Sequence, residues 1–332
     1  MTLSMMSRPS LASVCERLSG GKSRKILAPA GMVSNPASCN SSTICTEAGR
    51  LLALNAGIDL VNSMPIMKYP EKENRVTKQP LISVLTAVYN NASSIEDAIT
   101  SVQSQSYQNI EYVVIDGGST DGTKDILKRH GSSIDICISE PDGGLYDALN
   151  KAIRLANGEY VIFLHSDDIF HNEDSLQNLV TKILEADAEI CLSSVVITDK
   201  EMTRVIRYYP PYKPTKWLFR IGCMPPHPGC LFKRSLHDEF GFYSTDYKIA
   251  GDFDFLVRMF FARPIRWTLA KTVTTRMRRG GRSNDGLASK IDIMNEVHNI
   301  LKTHNIYSTR FLQLLRYCLR VFEFLPRKNI GL

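Results

Sequence analysis

Residues 140–168 read EPDGGLYDALNKAIRLANGEYVIFLHSDD. Leu145, Leu149, Ala152, Ile153 and Ala156 recur at helical spacing, which predicts an amphipathic helix over Leu145–Ala156 stopped by Gly158. Tyr160–Leu164 is then a short, near-continuous apolar run, the pattern of a strand buried on both faces. His165-Ser166-Asp167-Asp168 follows at once. A helix feeding a buried strand with polar residues at its end is one repeat of an α/β protein.

The same alternation continues in both directions. Upstream, Leu81–Val88 (LISVLTAV) predicts a buried strand. Ser93 and Glu96 are spaced as a capping box, opening a helix that carries Ile95, Ala98, Ile99 and Val102 on one face. Ile110–Ile115 is a second strand, Asp121 precedes a short helix with Ile126 and Leu127, and Ile134–Ile138 is a third. Downstream, Asp174–Glu185 is another helix. This order predicts a parallel sheet with helices on both faces. Ligands of such sheets bind at the carboxyl ends of the strands.

Those ends carry Tyr89-Asn90-Asn91, Asp116–Thr123 (DGGSTDGT), Glu140–Gly144 (EPDGG) and His165–Asp168 (HSDD). Carboxylates converging from three strand ends are costly to hold together unless a cation neutralises them. Mg²⁺ or a similar hard divalent ion takes one or two protein carboxylates together with substrate phosphates. The chain has no GxxxxGK[ST] loop, and no GxGxxG follows its first strand, which excludes P-loop and dinucleotide-binding readings.

SVLTAVYN (83–90), VVIDGGSTDGT (113–123), the 140–168 segment and AGDFDFLVRM (250–259) resemble bacterial glycosyltransferase family 2, in particular the enzymes of exopolysaccharide and O-antigen synthesis. They fall in the family's order, across about three fifths of the chain. The resemblance implies a GT-A fold, a Rossmann-like nucleotide-binding sheet with helices on both faces. It also implies an inverting transfer from a nucleotide-diphospho-sugar, UDP-linked, to a saccharide or polyprenyl-linked saccharide.

By the same resemblance, Thr86, Val88 and Asn90 line the base pocket and Asp116 binds the uracil ring or ribose. Ser119 and Asp121 shape the next turn, and Asp142 with Gly143 lies beside the donor sugar. HSDD falls on the family's DxD region, so Asp167, with Asp168 beside it, is expected to hold Mn²⁺ or Mg²⁺. His165 stands where the first aspartate is common, as a metal ligand or a plain turn residue. Asp252 matches the catalytic base, with Asp254 as the alternative. His227, in Pro225-Pro226-His227-Pro228, and Arg279, in an arginine run (Arg276, Arg278, Arg279, Arg282) around Gly280-Gly281 before Ser283, are expected to contact the donor.

Each residue also has a structural reading. Asp116 fits a turn cap, Asp167 and Asp168 a helix N-terminal pair, Asp252 a helix start, His227 an internal hydrogen bond, and the arginines a solvated face. Two other functions share parts of the pattern. A nucleotidyltransferase would need a glycine-rich, lysine-bearing loop after the first strand, and YNNASS is not one. A non-catalytic nucleotide-sugar binding module would bind donor without turnover.

The bulk composition is that of a globular enzyme, with 332 residues, 43% hydrophobic and 22% charged. A net charge of +6, with no nucleic-acid-binding signature, argues against nucleic acid as partner. The eight cysteines are scattered with no CxxC pair, which points away from disulfides and structural zinc and toward a cytoplasmic location. Neither a spanning helix nor a signal peptide is expected.

Residues 1–79 read as a poorly ordered extension, 80–285 as the catalytic domain and 286–332 as a C-terminal helical segment. Within that segment RFLQLLRYCLRVFEFL (310–325) alternates apolar residues with Arg310, Arg316 and Arg320. It suits a helix packed on the catalytic domain, the commoner outcome, or one lying peripherally on the inner face of the plasma membrane.

Overall fold

The computed structural model describes residues 79–280 and 286–324. In chain order β1 (Ile82–Val88), α1 (Ile95–Gln103), β2 (Ile110–Asp116), α2 (Thr123–Arg129), β3 (Ile136–Ser139), α3 (Leu145–Leu155) and β4 (Tyr160–Phe163) alternate. The chain continues through β5 (Ile169–Phe170), α4 (Ser175–Glu185), β6 (Ile190–Thr198), β7 (Val205–Tyr209), α5 (Lys216–Arg220), β8 (Cys230–Lys233) and α6 (Ser235–Phe240). It closes with α7 (Gly251–Ala262), β9 (Trp267–Arg278), α8 (Gly286–Thr303) and α9 (Arg310–Val321).

All seven residues of β1 are buried, because β1 lies between β2 and β4 with helices on both sides. The period of two sorts its neighbours. Leu85, Ala87, Val113, Ile115 and Phe163 join Leu149, Ala152 and Ile153 of α3 in one core. Ile82, Val84, Val114 and Ile162 join Ile95 and Ile99 of α1 and Leu176, Leu179 and Ile183 of α4 in the other.

The strands run in the order β3-β2-β1-β4-β8-β6-β9-β5, with β7 beside β6. Only part of this sheet is parallel. β1 to β4 are, and β6 runs parallel to β9, but β8 is antiparallel to both β4 and β6, β7 is antiparallel to β6 and β5 to β9. The short link between β6 and β7 leaves no room for the crossover that a parallel neighbour needs. The result is a mixed sheet whose parallel half keeps its carboxyl ends on one edge.

Three local expectations need correction. The capping box at Ser93 and Glu96 does not form. The residue before α1 is Ser94, whose hydroxyl donates to Asn91 Oδ1 (2.7 Å), while Glu96 pairs with His130 (2.9 Å) on the surface. Gly158 does not stop α3, which ends at Leu155; a Cβ at Gly158 would stand 2.5 Å from Ser83 Oγ, so the glycine permits two chain segments to touch. Asp167 and Asp168 do not start a helix either, since β5 follows them.

Cys137, Cys191, Cys223, Cys230 and Cys318 are free thiols. Among the described residues no helix is long and apolar enough to cross a membrane. The expectations for residues 1–78, including Cys15, Cys39 and Cys45, and for Arg282 and Ser283 lie outside the described residues.

Candidate active site

A cavity of about 1810 Å³ opens at the carboxyl ends of the parallel strands. Val88, Asn90, Gly117, Asp142, Gly144, His165, Asp167, Asp168, His227, Asp252, Arg278 and Arg279 all line it. Segments far apart in the chain thus meet at the edge where this topology puts ligands.

At the end of β1, Asn90 takes a left-handed conformation (φ 50°), which asparagine tolerates better than most residues. Its backbone N–H donates to Ser119 Oγ (2.7 Å) and its Oδ1 accepts from Thr120 N (2.8 Å). Asp116 is fully buried behind Gly117. Its carboxylate accepts from the Ser119 amide (3.2 Å to each oxygen), from Ser119 Oγ and from Ser139 Oγ (2.6 Å). Asp116 and Ser119 therefore tie two strand ends together below the cavity surface.

Thr86, expected in the base pocket, does not reach the cavity. It sits on a strand covered on both faces, and its Oγ1 donates to the Leu164 carbonyl (2.6 Å). Asp142 does reach it, with Oδ1 accepting from Gly144 N (2.9 Å). A Cβ at Gly117 would stand 2.6 Å from Asp142 Oδ2, so glycine there lets the β2 and β3 ends close together. Gly143 donates to Asp147 Oδ2 (3.0 Å) and lines a smaller neighbouring recess.

At the end of β4, Asp168 is 2% exposed; Oδ1 accepts from the Arg278 amide (3.3 Å), while the buried Oδ2 has no hydrogen-bond partner. Burial, reinforced by the charge of Asp167, pushes the Asp168 carboxyl well above the usual carboxylate range. An orphaned oxygen beside a second carboxylate is a donor set that suits a hard divalent cation. Asp167 and Asp168 thus fit the metal the sequence called for, although no cluster of three or more His, Cys, Asp or Glu ligands occurs among the described residues. Further ligands would have to come from phosphate oxygens and water.

Burial holds the His165 imidazole below the usual histidine range, against the opposing charge of Asp167. It lies 6.4 Å from the ring of His227. His227 is itself buried, stacked at 4.5 Å on Phe163, with Nε2 2.7 Å from the Tyr243 hydroxyl. Burial and the neighbouring His165 and His237 hold it well below the usual histidine range. His227 lines the cavity beside His165.

Asp252 is the second residue of α7. Its Oδ1 accepts from Phe253 N (2.8 Å) and lies 3.3 Å from the Tyr146 hydroxyl. Burial raises its pKa from 3.8 to about 6, and Glu296 adds to the rise. Asp254 points elsewhere. Two residues along a helix is more than half a turn, and its carboxylate is held by Arg258 (2.9 Å) and His304 (2.9 Å). Between the two candidates for a base, only Asp252 lines the cavity.

Of the arginine run, Arg278 lies beside the acidic pair, with Nε 3.4 Å from the Asp167 carbonyl, and it pairs with Asp97 (2.8 Å). Arg279 is exposed on the rim, and Arg276 bonds to His171 instead.

Two supporting residues were not visible in the sequence. Tyr146 donates to the Ile249 carbonyl (2.5 Å) beside Asp252. Glu296 of α8 accepts from three successive amides, Lys248, Ile249 and Ala250 (2.9, 3.0 and 2.8 Å), fixing the loop that leads into Asp252. Tyr146 reads as one more residue of a helix and Glu296 as a solvated charge. Only the position of the acceptors gives either a role.

A mixed α/β sheet with an acidic strand end and a further carboxylate lining the same cavity is the arrangement of a GT-A glycosyltransferase. Residues 83–241 match Glycosyl transferase family 2. An uncharacterized glycosyltransferase of Mycobacterium tuberculosis is 32% identical over 190 residues, 55% of this chain and 70% of that protein. A PGL/p-HBAD biosynthesis glycosyltransferase of Mycobacterium bovis is 27% identical over 185 residues, 54% and 70% of the two chains. The protein belongs to glycosyltransferase family 2.

Solved structures share the fold. Staphylococcus aureus TarS in complex with UDP-GlcNAc aligns with TM-score 0.54 and 19% identity, over 74% of this chain and 73% of that one. The mannosyltransferase PcManGT of Pyrobaculum calidifontis, in complex with GDP-Man and Mn²⁺, aligns with TM-score 0.54 and 20% identity, over 83% and 77%. The family match and these relatives make the chain a glycosyltransferase.

Proposed function

We propose that the protein transfers a sugar with inversion from a UDP-linked donor to a saccharide or lipid-linked saccharide, in cell-surface polysaccharide synthesis at the inner face of the membrane. The carrying observation is Asp252, whose carboxyl has a pKa of about 6 and lines the same cavity as Asp142, Asp167 and Asp168. Residues 80–285 carry the chemistry and 286–332 complete the acceptor side.

The donor's nucleoside lies along Val88, Asn90 and Gly117, over the clasp made by Asp116 and Ser119. Asp142 flanks the sugar with Gly143 at the neighbouring recess, Arg279 on the rim faces the diphosphate as a bidentate donor, and Arg278, its guanidinium held by the Asp167 and Lys200 carbonyls and by Asp97, adds positive charge beside it. Asp167 and Asp168 would hold Mn²⁺ or Mg²⁺, which supplies charge stabilisation to the departing nucleoside diphosphate. Asp252 accepts the proton of the acceptor hydroxyl as that oxygen bonds to the anomeric carbon and the bond to the diphosphate breaks. Tyr146 and the Phe253 amide orient the carboxylate, and Glu296 holds its loop.

Water can stand in for the acceptor, so proton NMR of the sugar first released from an accepted donor reads the stereochemistry. An α-linked donor should give the β-sugar before mutarotation. Initial release of the α-sugar would remove inversion from the proposal.

A further inference from the structure

Helix α9 turns its polar side to the protein and its apolar side outward. Arg316 is 1% exposed, whereas Phe311 is 77% and Val321 63% exposed. This reverses the expectation that the apolar stripe packs on the domain. Arg316 lines the main cavity beside Gly222, where a Cβ would stand 3.1 Å from its guanidinium. Its one hydrogen-bond partner among the described residues is the Tyr317 hydroxyl (3.2 Å), and its buried Nε has none.

Arg320 lines the same wall, and the two guanidinium groups lie 5.1 and 5.7 Å from the Tyr317 ring. Arg207 and Glu323 join them around Cys223. Glu323 is already taken, accepting from Arg207 and from the Tyr212 hydroxyl (2.5 Å). Three guanidinium groups against one carboxylate leave a cationic surplus on the cavity wall. A guanidinium stays protonated even when buried, and a buried charge without a counter-ion is strongly destabilising. The fork of N–H donors on Arg316 matches a phosphate.

We propose that Arg316 and Arg320 form an anion subsite for a phosphate or diphosphate group carried by the sugar acceptor. This rests on the transfer reading above, and it is separate from the donor's diphosphate, which that reading assigns to the metal that Asp167 and Asp168 would hold and to Arg279. The outward apolar face of α9, with Phe311, Leu314, Leu315 and Val321, adjoins the subsite and favours a lipid-linked phosphate over a soluble one.

The test uses the full chain with nucleoside diphosphate and Mn²⁺ saturating the donor site. Titration with inorganic pyrophosphate and with farnesyl diphosphate then reads the second site. Binding of the nucleoside diphosphate is measured separately, so a failure of the transfer reading shows there and not in the second titration. Both probes should bind, farnesyl diphosphate more tightly, and both should weaken by about tenfold or more in Arg316→Gln and in Arg320→Gln. Arg320 is the less buried of the two, so its variant keeps the test valid where Arg316→Gln fails to fold. Equal affinity for the two probes, with the same losses, keeps the subsite and assigns it to a soluble sugar phosphate. No binding to wild type, unchanged binding in both variants, or loss of nucleoside diphosphate affinity instead would overturn the subsite.

Discussion

Replacing Asp252 by Asn should inactivate the enzyme and make it more stable. The substitution keeps the geometry, because Asn Oδ1 can still accept from Phe253 N, which lies 2.8 Å from Asp252 Oδ1. It removes only the charge. Burial lifts the Asp252 pKa from 3.8 to about 6, and each tenfold change in proton affinity is worth about 1.4 kcal/mol. The ionised carboxylate therefore costs the fold about 2 to 3 kcal/mol at neutral pH.

The sign follows from linkage. Between pH 4 and 6 the folded protein holds a proton that the unfolded chain has released, so wild-type stability falls as pH rises through that window. Urea denaturation at pH 7.5 should find Asp252→Asn more stable by about 2 kcal/mol, with the gap closing at pH 4. In parallel, kcat should fall roughly 100-fold or more, the scale of general-base catalysis. A variant that is no more stable at pH 7.5, or whose advantage is the same at pH 4, refutes the claim that burial tunes this carboxylate.

The residues around Asp252 give two further expectations. In Gly251→Ala the new Cβ would stand 2.8 Å from the Tyr146 ring; steady-state kinetics should show kcat reduced on the order of 10-fold, with thermal melting showing the domain still folded. Glu296→Ala leaves three amide donors of the Lys248–Ala250 loop without their acceptor, and urea melts should show a loss of about 2 kcal/mol.

The parallel half of the sheet was legible because its strands are buried on both faces and therefore read as apolar runs. Leu81–Val88 and Tyr160–Leu164 announce themselves this way, and the helix between them carries a clear period. The mixed half was not, since strand direction at β8 depends on which edge is free when the chain returns. Candidate residues on strand ends, such as Asp142 and Asp167, could be placed at the cavity because topology says where ligands go. Thr86 was misplaced for a related reason: alternation gives its face, but not whether a neighbouring carbonyl has already engaged its hydroxyl.

Residues that act from outside the motifs stayed hidden. Glu296 and Arg316 sit on amphipathic helices, where charge is read as solvent-facing by default. In α9 that default is inverted, with arginine inside and phenylalanine outside, and nothing in a 3.6-residue period says which side meets the protein.

Nucleoside diphosphate release from a panel of UDP-, GDP- and dTDP-sugars, with Mn²⁺ or Mg²⁺, tests the central claim most directly when wild type is set beside Asp167→Ala. The account predicts slow hydrolysis of one donor, dependent on the metal and reduced about 100-fold or more in the variant. No release from any donor, even with membrane lipid extract supplied as acceptor, or equal release by Asp167→Ala, would contradict it.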